Sequence, residues 1–177
     1  MAETDDDDDV CVLVPTYNEA ATIGEVVSGL YDEGLENVLV IDGHSTDETR
    51  EIAAEHGARV VLQTGTGRGS GKGEAVREGV EHIDAEYVLM LDGDGTYKPG
   101  DAQAMLEPLR SGRAEHVVGD RFADMESGAM TRLNQFGNRI INAGFRLIHR
   151  QDFGDILSGY RAFTRESFLQ MTLSSDG

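Results

Sequence analysis

The chain alternates short apolar runs with stretches of helical periodicity, and this alternation constrains its fold more than any other feature. Five apolar runs predict buried strands: Val10–Pro15, Val38–Ile41, Arg59–Leu62, Tyr87–Leu91 and His116–Gly119. Between the strands, apolar spacing predicts helices over 20–30, 46–56, 73–83 and 102–110. Strands that alternate with helices form crossover units, so we predict an α/β fold with a mostly parallel central sheet.

Two aspartates follow the fourth predicted strand, at the sheet edge where ligands of such folds bind. Asp92 and Asp94 are separated by one glycine and followed by another. Carboxylates at i and i+2 point to the same side of an extended chain and repel one another unless a cation joins them. Oxygen ligands favour Mg²⁺ or Mn²⁺, which also bind substrate phosphates. An Asp-Gly turn that leads into the next helix is the structural alternative.

Further polar candidates follow the first and second predicted strands. Asp42 ends the second strand, where a carboxylate can accept hydrogen bonds from a nucleobase N–H or a ribose hydroxyl. Residues 45–47, which follow it, are good N-cap candidates for the next helix. After the first strand, Tyr17 can cover a nucleobase and Glu19 can bind the base or its ribose. The alternative for both residues is an ordinary strand-to-helix turn.

A glycine-rich segment, residues 64–73, carries the cations Arg68 and Lys72. It is not a P-loop, because Thr66 stands where that motif needs glycine and Gly73 stands where it needs Ser or Thr. We interpret the segment as a loop that brings two cations beside a diphosphate. A solvated loop without a ligand is the alternative.

The charge balance is strongly acidic, with 33 acidic against 15 basic residues and a formal net charge of −18. Such a chain repels nucleic acid, so we predict no nucleic-acid partner. The acid excess extends along the whole chain, which favours adaptation to a salt-rich cytosol over a docking surface for a basic partner. Five successive aspartates predict a solvated tail over residues 1–9, ahead of a domain over 10–177. No signal peptide or membrane span is predicted, so we expect a cytoplasmic location.

Arginine is concentrated in one segment, 127–150, which contains no Asp or Glu. Arg132 and Arg139 are seven residues apart, so on a helix they share one stripe, beside apolar residues. Such a basic amphipathic helix can lie on an anionic lipid surface. A core helix whose arginines pair with distant acids is the alternative. With Arg121 and Arg161 nearby in sequence, we predict a second anion site, distinct from that of the diphosphate.

Six motifs together resemble family 2 glycosyltransferases of the GT-A fold. They are PTYNE (15–19), DGHSTDET (42–49), GKGEAVREG (71–79), DGDG (92–95), GDRF (119–122) and SGYRAF (158–163). The chain is most similar to the polyprenyl-phosphate branch, and within it to haloarchaeal dolichol-phosphate hexosyltransferases of surface-layer N-glycosylation. The resemblance implies a Rossmann-like three-layer sandwich. It also implies inverting transfer of a hexose from a UDP- or GDP-sugar to dolichyl phosphate, at the cytoplasmic face of a membrane.

The resemblance also implies roles for individual residues. The residues expected at the nucleotide are Pro15, Tyr17, Glu19, Asp42, Lys72 and Asp92, of which Lys72 is added from the glycine-rich loop. Asp92 and Asp94 are expected to hold a divalent metal, with Asp94 and Arg121 catalytic. Those expected at the acceptor phosphate are Arg121, Arg132, Arg139, Ser158 and Arg161. Thr96 stands where the family often has a third metal ligand, Gln or His. Relatives continue beyond residue 177, so the chain is expected to be truncated at its C-terminus.

Two other functions remain open at this point. One is a family 2 transferase with a soluble or polysaccharide acceptor, which would not use polyprenyl phosphate. The other is a nucleotidyltransferase or a nucleotide-sugar-binding module without glycosyl transfer. A nucleotidyltransferase would need a basic glycine-rich loop directly after the first strand, where residues 15–19 stand instead. The sequence does not choose between UDP and GDP donors, and it does not name the hexose or the oligomeric state.

Overall fold

A six-stranded sheet between two layers of helices forms the part of the chain described by the computed structural model, residues 9–65, 71–119 and 158–170. The strands are β1 (Val10–Thr16), β2 (Val38–Asp42), β3 (Arg59–Leu62), β4 (Tyr87–Met90), β5 (His116–Val118) and β6 (Arg161–Thr164). The helices are α1 (Ile23–Asp32), α2 (Thr49–Glu55), α3 (Lys72–Glu81), α4 (Ala102–Arg110) and α5 (Arg165–Gln170), with a 3₁₀ turn at Pro99–Asp101. The spatial order of the strands is β3-β2-β1-β4-β6-β5.

Both faces of the central strands are buried. In β1, Val12 and Val14 pack with residues of α1, α2 and α4, whereas Cys11 and Leu13 pack with residues of α3 on the opposite face. Every residue of β1 and β2 is buried. Continuous burial of this kind is typical of parallel strands covered by helices on both sides. The predicted α/β fold with a mostly parallel sheet is therefore confirmed.

Helices α1 and α2 end where the sequence provides glycine signals. The apolar residues Ile23, Val26, Val27 and Leu30 give α1 one buried face. Gly34 follows α1 with φ 78°, and Gly57 follows α2 with φ 98°. Glycine adopts this left-handed conformation without the steric cost of a side chain, so both residues end their helices cleanly. No helix in residues 9–65, 71–119 and 158–170 is long and apolar enough to cross a membrane.

Strand β6 was not predicted from the sequence. It lies between β4 and β5 and is antiparallel to both. The run Arg161-Ala-Phe-Thr164 is short and bears polar residues at both ends, so its apolar signal is weak. Consequently β4 and β5, which are neighbours in the sequence of strands, are separated in the sheet by a strand from much later in the chain.

Asp9, the last residue of the tail predicted over residues 1–9, has partners in the folded structure. Its carbonyl oxygen accepts a hydrogen bond of 2.8 Å from the Tyr87 N–H, next to the first residue of β1. Its carboxylate accepts hydrogen bonds from the Arg110 guanidinium at 2.9 and 3.1 Å. The ordered structure therefore includes Asp9, because both its backbone and its side chain have partners. Residues 1–8 lie outside the described part of the chain.

The contact between α3 and β1 gives a test of this packing. A Cβ at Gly79 would lie 2.5 Å from the Leu13 Cδ1 atom, which is too close. Alanine is the better helix former by about 1 kcal/mol. We nevertheless expect Gly79→Ala to lower the free energy of unfolding by about 1–3 kcal/mol, because a methyl group overpacks the core there. Urea denaturation at one fixed salt concentration measures the change.

Gly73→Ala, in the same helix, is the control for this substitution. No atom of the described residues lies within 4 Å of a Cβ placed at Gly73. We therefore expect a gain of up to about 1 kcal/mol from helix propensity. Equal stabilisation by the two substitutions would contradict tight packing of Gly79 on Leu13.

Candidate functional site

A cleft of about 520 Å³ opens at the carboxyl ends of β1, β2, β3 and β4, where ligands of parallel sheets bind. It brings together five of the residues predicted at the nucleotide, which are Pro15, Tyr17, Glu19, Lys72 and Asp92. The other lining residues are Thr16, Gly43, Gln63, Gly71 and Ala75. The five predicted residues come from three separate segments of the chain, so the fold assembles them in one place.

The loop between β1 and α1 is held by side chains of the loop between β2 and α2 and of Thr49, the first residue of α2. The Asn18 N–H donates to Ser45 Oγ at 2.9 Å, the Glu19 N–H to Thr49 Oγ1 at 2.8 Å and the Ala20 N–H to Asp47 Oδ2 at 3.2 Å. Asn18 has φ 56°, a left-handed conformation that asparagine tolerates better than most residues. Three consecutive N–H groups are thereby satisfied, and the loop that carries Glu19 is fixed.

These contacts correct the predicted helix caps at residues 45–47. Helix α2 begins at Thr49, and its N-cap residue, Glu48, makes no side-chain capping hydrogen bond. Ser45 accepts from the neighbouring loop, whereas Asp47 accepts the Ala20 N–H through Oδ2 and the Thr49 N–H, at 3.1 Å, through Oδ1. Asp47 therefore satisfies one donor at the start of α2, although it lies one residue before the N-cap position.

Asp42 is fully buried at the end of β2 and does not line the cleft. Its carboxylate accepts from the Ser45 N–H at 2.9 Å, from Ser45 Oγ at 2.5 Å and from Thr16 Oγ1 at 3.2 Å. The Arg50 Nε lies 3.8 Å away. In this arrangement Asp42 joins β1 to the β2–α2 loop, and its contact with a nucleotide stays a prediction.

Lys72 and Asp92 form an ion pair inside the cleft, between Nζ and Oδ1. Gly159 lies against this pair, because a Cβ on Gly159 would overlap the Asp92 carboxylate and lie 2.9 Å from Lys72 Nζ. Asp94 is exposed, and its carboxylate accepts the Thr96 N–H at 2.9 Å. The turn that was the alternative for this motif is therefore present at Asp94, while Asp92 faces the cleft.

Glu19 carries the most perturbed carboxyl group of the cleft. Its Oε2 atom is buried and has no hydrogen-bond partner among the described residues. Its pKa is raised to about 7, chiefly by burial and also by the negative charges of Asp94 and Asp92, whereas Lys72 lowers it. Three carboxyl groups thus crowd one region that holds a single lysine, an arrangement that favours a bound cation.

The donor set suits a hard divalent cation that shares its ligands with a substrate. Within residues 9–65, 71–119 and 158–170, no three His, Cys, Asp or Glu side chains are placed to hold a metal ion by themselves. Mg²⁺ commonly takes only one or two carboxylates and completes its shell with water and substrate phosphates. Asp92 and Asp94, with Thr96 in place of a third ligand, fit that pattern.

The predicted acceptor residues divide into two groups. Ser158 is buried, and Arg161 donates from Nε to the Ser158 carbonyl oxygen at 3.0 Å, so these two residues lie together. Ser158 precedes β6 and Arg161 begins it, so both residues lie at the same edge of the sheet as Asp92. Arg121, Arg132 and Arg139, with the predicted basic helix over 127–150, lie outside the described residues, and their roles stay predictions.

Two residues of the site were missed at the sequence level. Gln63 is only 2% exposed and lines the cleft, with its Nε2 atom 3.5 Å from the Gly71 carbonyl oxygen. Its position directly after β3, at the ligand-binding edge, was the available signal. Tyr97 is the second, because its hydroxyl accepts the Gly159 N–H at 2.6 Å. No spacing rule connects residues so far apart in the chain.

Taken together, the three-layer fold and the acidic cleft at the strand ends define a nucleotide-binding type of α/β enzyme. Residues 11–171 match the domain described as Glycosyl transferase family 2, so the chain belongs to that family. A crystal structure of Mycobacterium tuberculosis glucosyl-3-phosphoglycerate synthase, in complex with Mn²⁺ and UDP-glucose, superposes with a TM-score of 0.69 at 26% identity. The match covers 89% of this chain and 56% of that one. The predicted GT-A fold is confirmed.

Curated relatives of the chain occur in Haloferax volcanii. Its glycosyltransferase AglJ is 68% identical over 171 residues, which cover 96% of this chain and 55% of AglJ. Its dolichyl-phosphate hexose transferase is 34% identical over 161 residues, which cover 90% of this chain and 68% of the relative. The chain thus spans about half the length of AglJ. The predicted resemblance to haloarchaeal enzymes of family 2 is confirmed.

The raised pKa of Glu19 predicts a pH dependence of stability. The native state holds the Glu19 proton up to about pH 7, whereas an unperturbed glutamate carboxyl has a pKa of 4.5. The native state therefore binds more protons in this window, and the free energy of unfolding falls as pH rises through it. Glu19→Gln removes this component. We expect the stability of the variant relative to wild type to increase by about 1 kcal/mol between pH 5 and 8, allowing for partial solvent screening.

Urea denaturation of both proteins at several pH values, in constant salt, measures this difference. A difference that stays constant across the range would contradict the raised pKa of Glu19.

Proposed function

We propose that the protein transfers a hexose, with inversion, from a nucleotide-diphosphate sugar to a polyprenyl phosphate such as dolichyl phosphate, and so feeds protein N-glycosylation. The observation that carries this proposal is the contact of Gly159 with the Lys72–Asp92 pair. It puts the residues expected at the acceptor phosphate beside those expected at the donor diphosphate. The similarity to the dolichyl-phosphate hexose transferase of Haloferax volcanii supports a polyprenyl phosphate as the acceptor.

The donor side follows from the shape of the cleft. Tyr17 and Gln63 flank Gly43, where an added Cβ would lie 3.8 Å from the Tyr17 ring and 3.6 Å from Gln63 Oε1. A nucleobase can enter over Gly43, covered by Tyr17, with its polar edge toward the Gln63 amide. Lys72, at the first turn of α3, then reaches the diphosphate. The UDP-glucose of the mycobacterial structure supports a donor of this chemical class.

A divalent cation held by Asp92 and Asp94 would neutralise the charge that develops on the departing diphosphate. The Mn²⁺ of the same mycobacterial complex supports this assignment. When such a cation binds, Asp92 no longer needs Lys72 as its counter-ion, and the lysine is released toward the phosphates. Glu19 then loses part of the repulsion that favours its protonated form.

The acceptor side needs positive charge and a defined orientation. A lipid monophosphate is ionised at neutral pH, so its oxygen can attack the anomeric carbon without a general base. The bond from that carbon to the diphosphate oxygen breaks as the new one forms, and the leaving group takes the electron pair. Arg121 and Arg161 orient the phosphate for in-line attack, which inverts the anomeric centre. The basic segment 127–150 would hold the protein at the anionic cytoplasmic face of the membrane.

The Gln63 side chain provides a test of nucleotide binding in the cleft. Gln63→Ala removes the amide that faces the base, so we expect nucleotide affinity to fall about tenfold, or about 1.4 kcal/mol. Gln103→Ala is the matched control, because Gln103 is exposed on α4, away from the cleft, and should leave affinity unchanged. Calorimetric titration with UDP and with GDP, in the presence of Mn²⁺, measures both effects and shows which base is preferred. Equal affinities of the two variants would contradict a base contact by Gln63.

The transfer reaction is tested directly with candidate donors and acceptors. Full-length protein, incubated with dolichyl phosphate, Mg²⁺ or Mn²⁺ and a panel of UDP- and GDP-hexoses, should yield a glycosylated lipid phosphate that mass spectrometry identifies. Asp94→Ala should lower the rate about 10²- to 10³-fold, because the diphosphate charge is no longer neutralised. Arg121→Ala should also abolish most transfer. Asp84→Ala is the matched control, since Asp84 is exposed before the amino end of β4.

The assay also separates the competing functions. Transfer to 3-phosphoglycerate, the acceptor named for the mycobacterial neighbours, would support a soluble acceptor instead. Nucleotide binding without transfer to any acceptor would support a binding module. Full activity of either Asp94→Ala or Arg121→Ala would show that the assigned role of that residue is wrong.

A further inference from the structure

Tyr97 links two segments of the site that are far apart in sequence. Its side chain is buried, at 7% exposure, directly after the turn that carries Asp92 and Asp94. Its hydroxyl accepts the Gly159 N–H at 2.6 Å, and Ser158 Oγ lies 3.5 Å away. Tyr97 thus connects the turn that carries Asp92 and Asp94 to the segment that leads into β6.

Gly159 has little freedom in this position. On one side its N–H is bound by the Tyr97 hydroxyl, and on the other its Cα faces the Asp92 carboxylate and Lys72 Nζ. Ser158 is fixed in turn, because its Oγ accepts the Tyr160 N–H at 3.2 Å and its carbonyl oxygen accepts from Arg161. A shift of the Gly159 backbone therefore moves Ser158 and Arg161 relative to Asp92.

We propose that Tyr97 is a positioning residue for glycosyl transfer. Its hydroxyl holds the Gly159 backbone against the Lys72–Asp92 pair, and this contact sets the distance between the acceptor phosphate and the donor's anomeric carbon. The inference rests on the proposed function, in which Ser158 and Arg161 face the acceptor. In-line attack requires reacting atoms at close and defined separation, so a small displacement of the acceptor lowers the rate without weakening donor binding.

The neighbouring tyrosine separates the effect of the hydroxyl from that of the ring. The rings of Tyr97 and Tyr160 are stacked at a tilt, with centroids 5.2 Å apart, and both tyrosines are buried. The Tyr160 hydroxyl has no hydrogen-bond partner among the described residues. Burial raises the pKa of Tyr160 and keeps its hydroxyl neutral. Two packed tyrosines thus differ mainly in whether the hydroxyl is hydrogen-bonded.

The test compares Tyr97→Phe with Tyr160→Phe in full-length protein. Tyr97→Phe keeps the ring but leaves the Gly159 N–H unpaired, so we expect kcat to fall about tenfold while KM for the nucleotide sugar changes less than twofold. Tyr160→Phe should leave both constants within twofold of wild type. Hydrogen exchange at the Gly159 amide should become at least tenfold faster in Tyr97→Phe only.

Other results would overturn the proposal. An unchanged kcat in Tyr97→Phe, or a kcat loss shared equally by Tyr160→Phe, would show that the Tyr97 hydroxyl does not position the acceptor. A rise in donor KM that parallels a loss of thermal stability would show a merely structural role.

Failure of the proposed function gives a different pattern. If wild type transfers sugar to no polyprenyl phosphate but glycosylates a soluble acceptor, the same comparison of kcat and KM is made with that acceptor. If wild type uses no acceptor, the two variants are compared instead by their rates of slow donor hydrolysis and by hydrogen exchange at the Gly159 amide. Tyr97→Phe must then alter exchange at Gly159 and leave nucleotide affinity unchanged, and otherwise the proposal fails.

Discussion

The site depends on the burial of the Asp42 carboxylate, which has no access to water. An unpaired buried charge costs several kcal/mol, so this group must be surrounded by donors. Ser45 and Thr16 provide them, and they are the residues that join β1 to the β2–α2 loop. Once that loop is fixed, it binds the N–H groups of Asn18 and Glu19. The orientation of Glu19 in the cleft thus follows from hydrogen bonds formed behind the cleft wall.

The cleft itself is built against electrostatic preference. Glu19 and Asp92 approach one another in a partly buried space, although two neighbouring carboxylates favour protonation of one of them. Lys72 relieves only part of this repulsion, through its ion pair with Asp92. Such crowding lowers stability unless it is compensated by ligand binding, which is the usual reason for strongly shifted carboxyl groups at active sites. Under the proposed function, a divalent cation and the donor diphosphate would bring charges of both signs to this cleft.

Much of the fold could be predicted from local sequence, because apolar runs such as Val38–Ile41 are long enough to identify buried strands. Tyr17, Glu19 and Asp92 could be assigned to the site because they follow such strands. The direction of the Asp42 side chain could not, since periodicity does not distinguish a carboxylate that turns toward donors in the next loop from one that faces solvent. Strand β6 could not either, because its short run gains its stability from long-range pairing with Met90 and its neighbours.

The antiparallel direction of β6 explains how Ser158 and Gly159 come to lie beside Asp92. The parallel strands all end at the binding edge, so a further parallel strand would place only its following loop there. A strand that runs in the opposite direction instead begins at that edge, as the pairing of Met90 with Arg161 shows. The residues that precede β6, Ser158 and Gly159, therefore arrive beside Asp92, which follows β4. A single reversal of strand direction thus adds a further segment of the chain to the edge at which the parallel strands end.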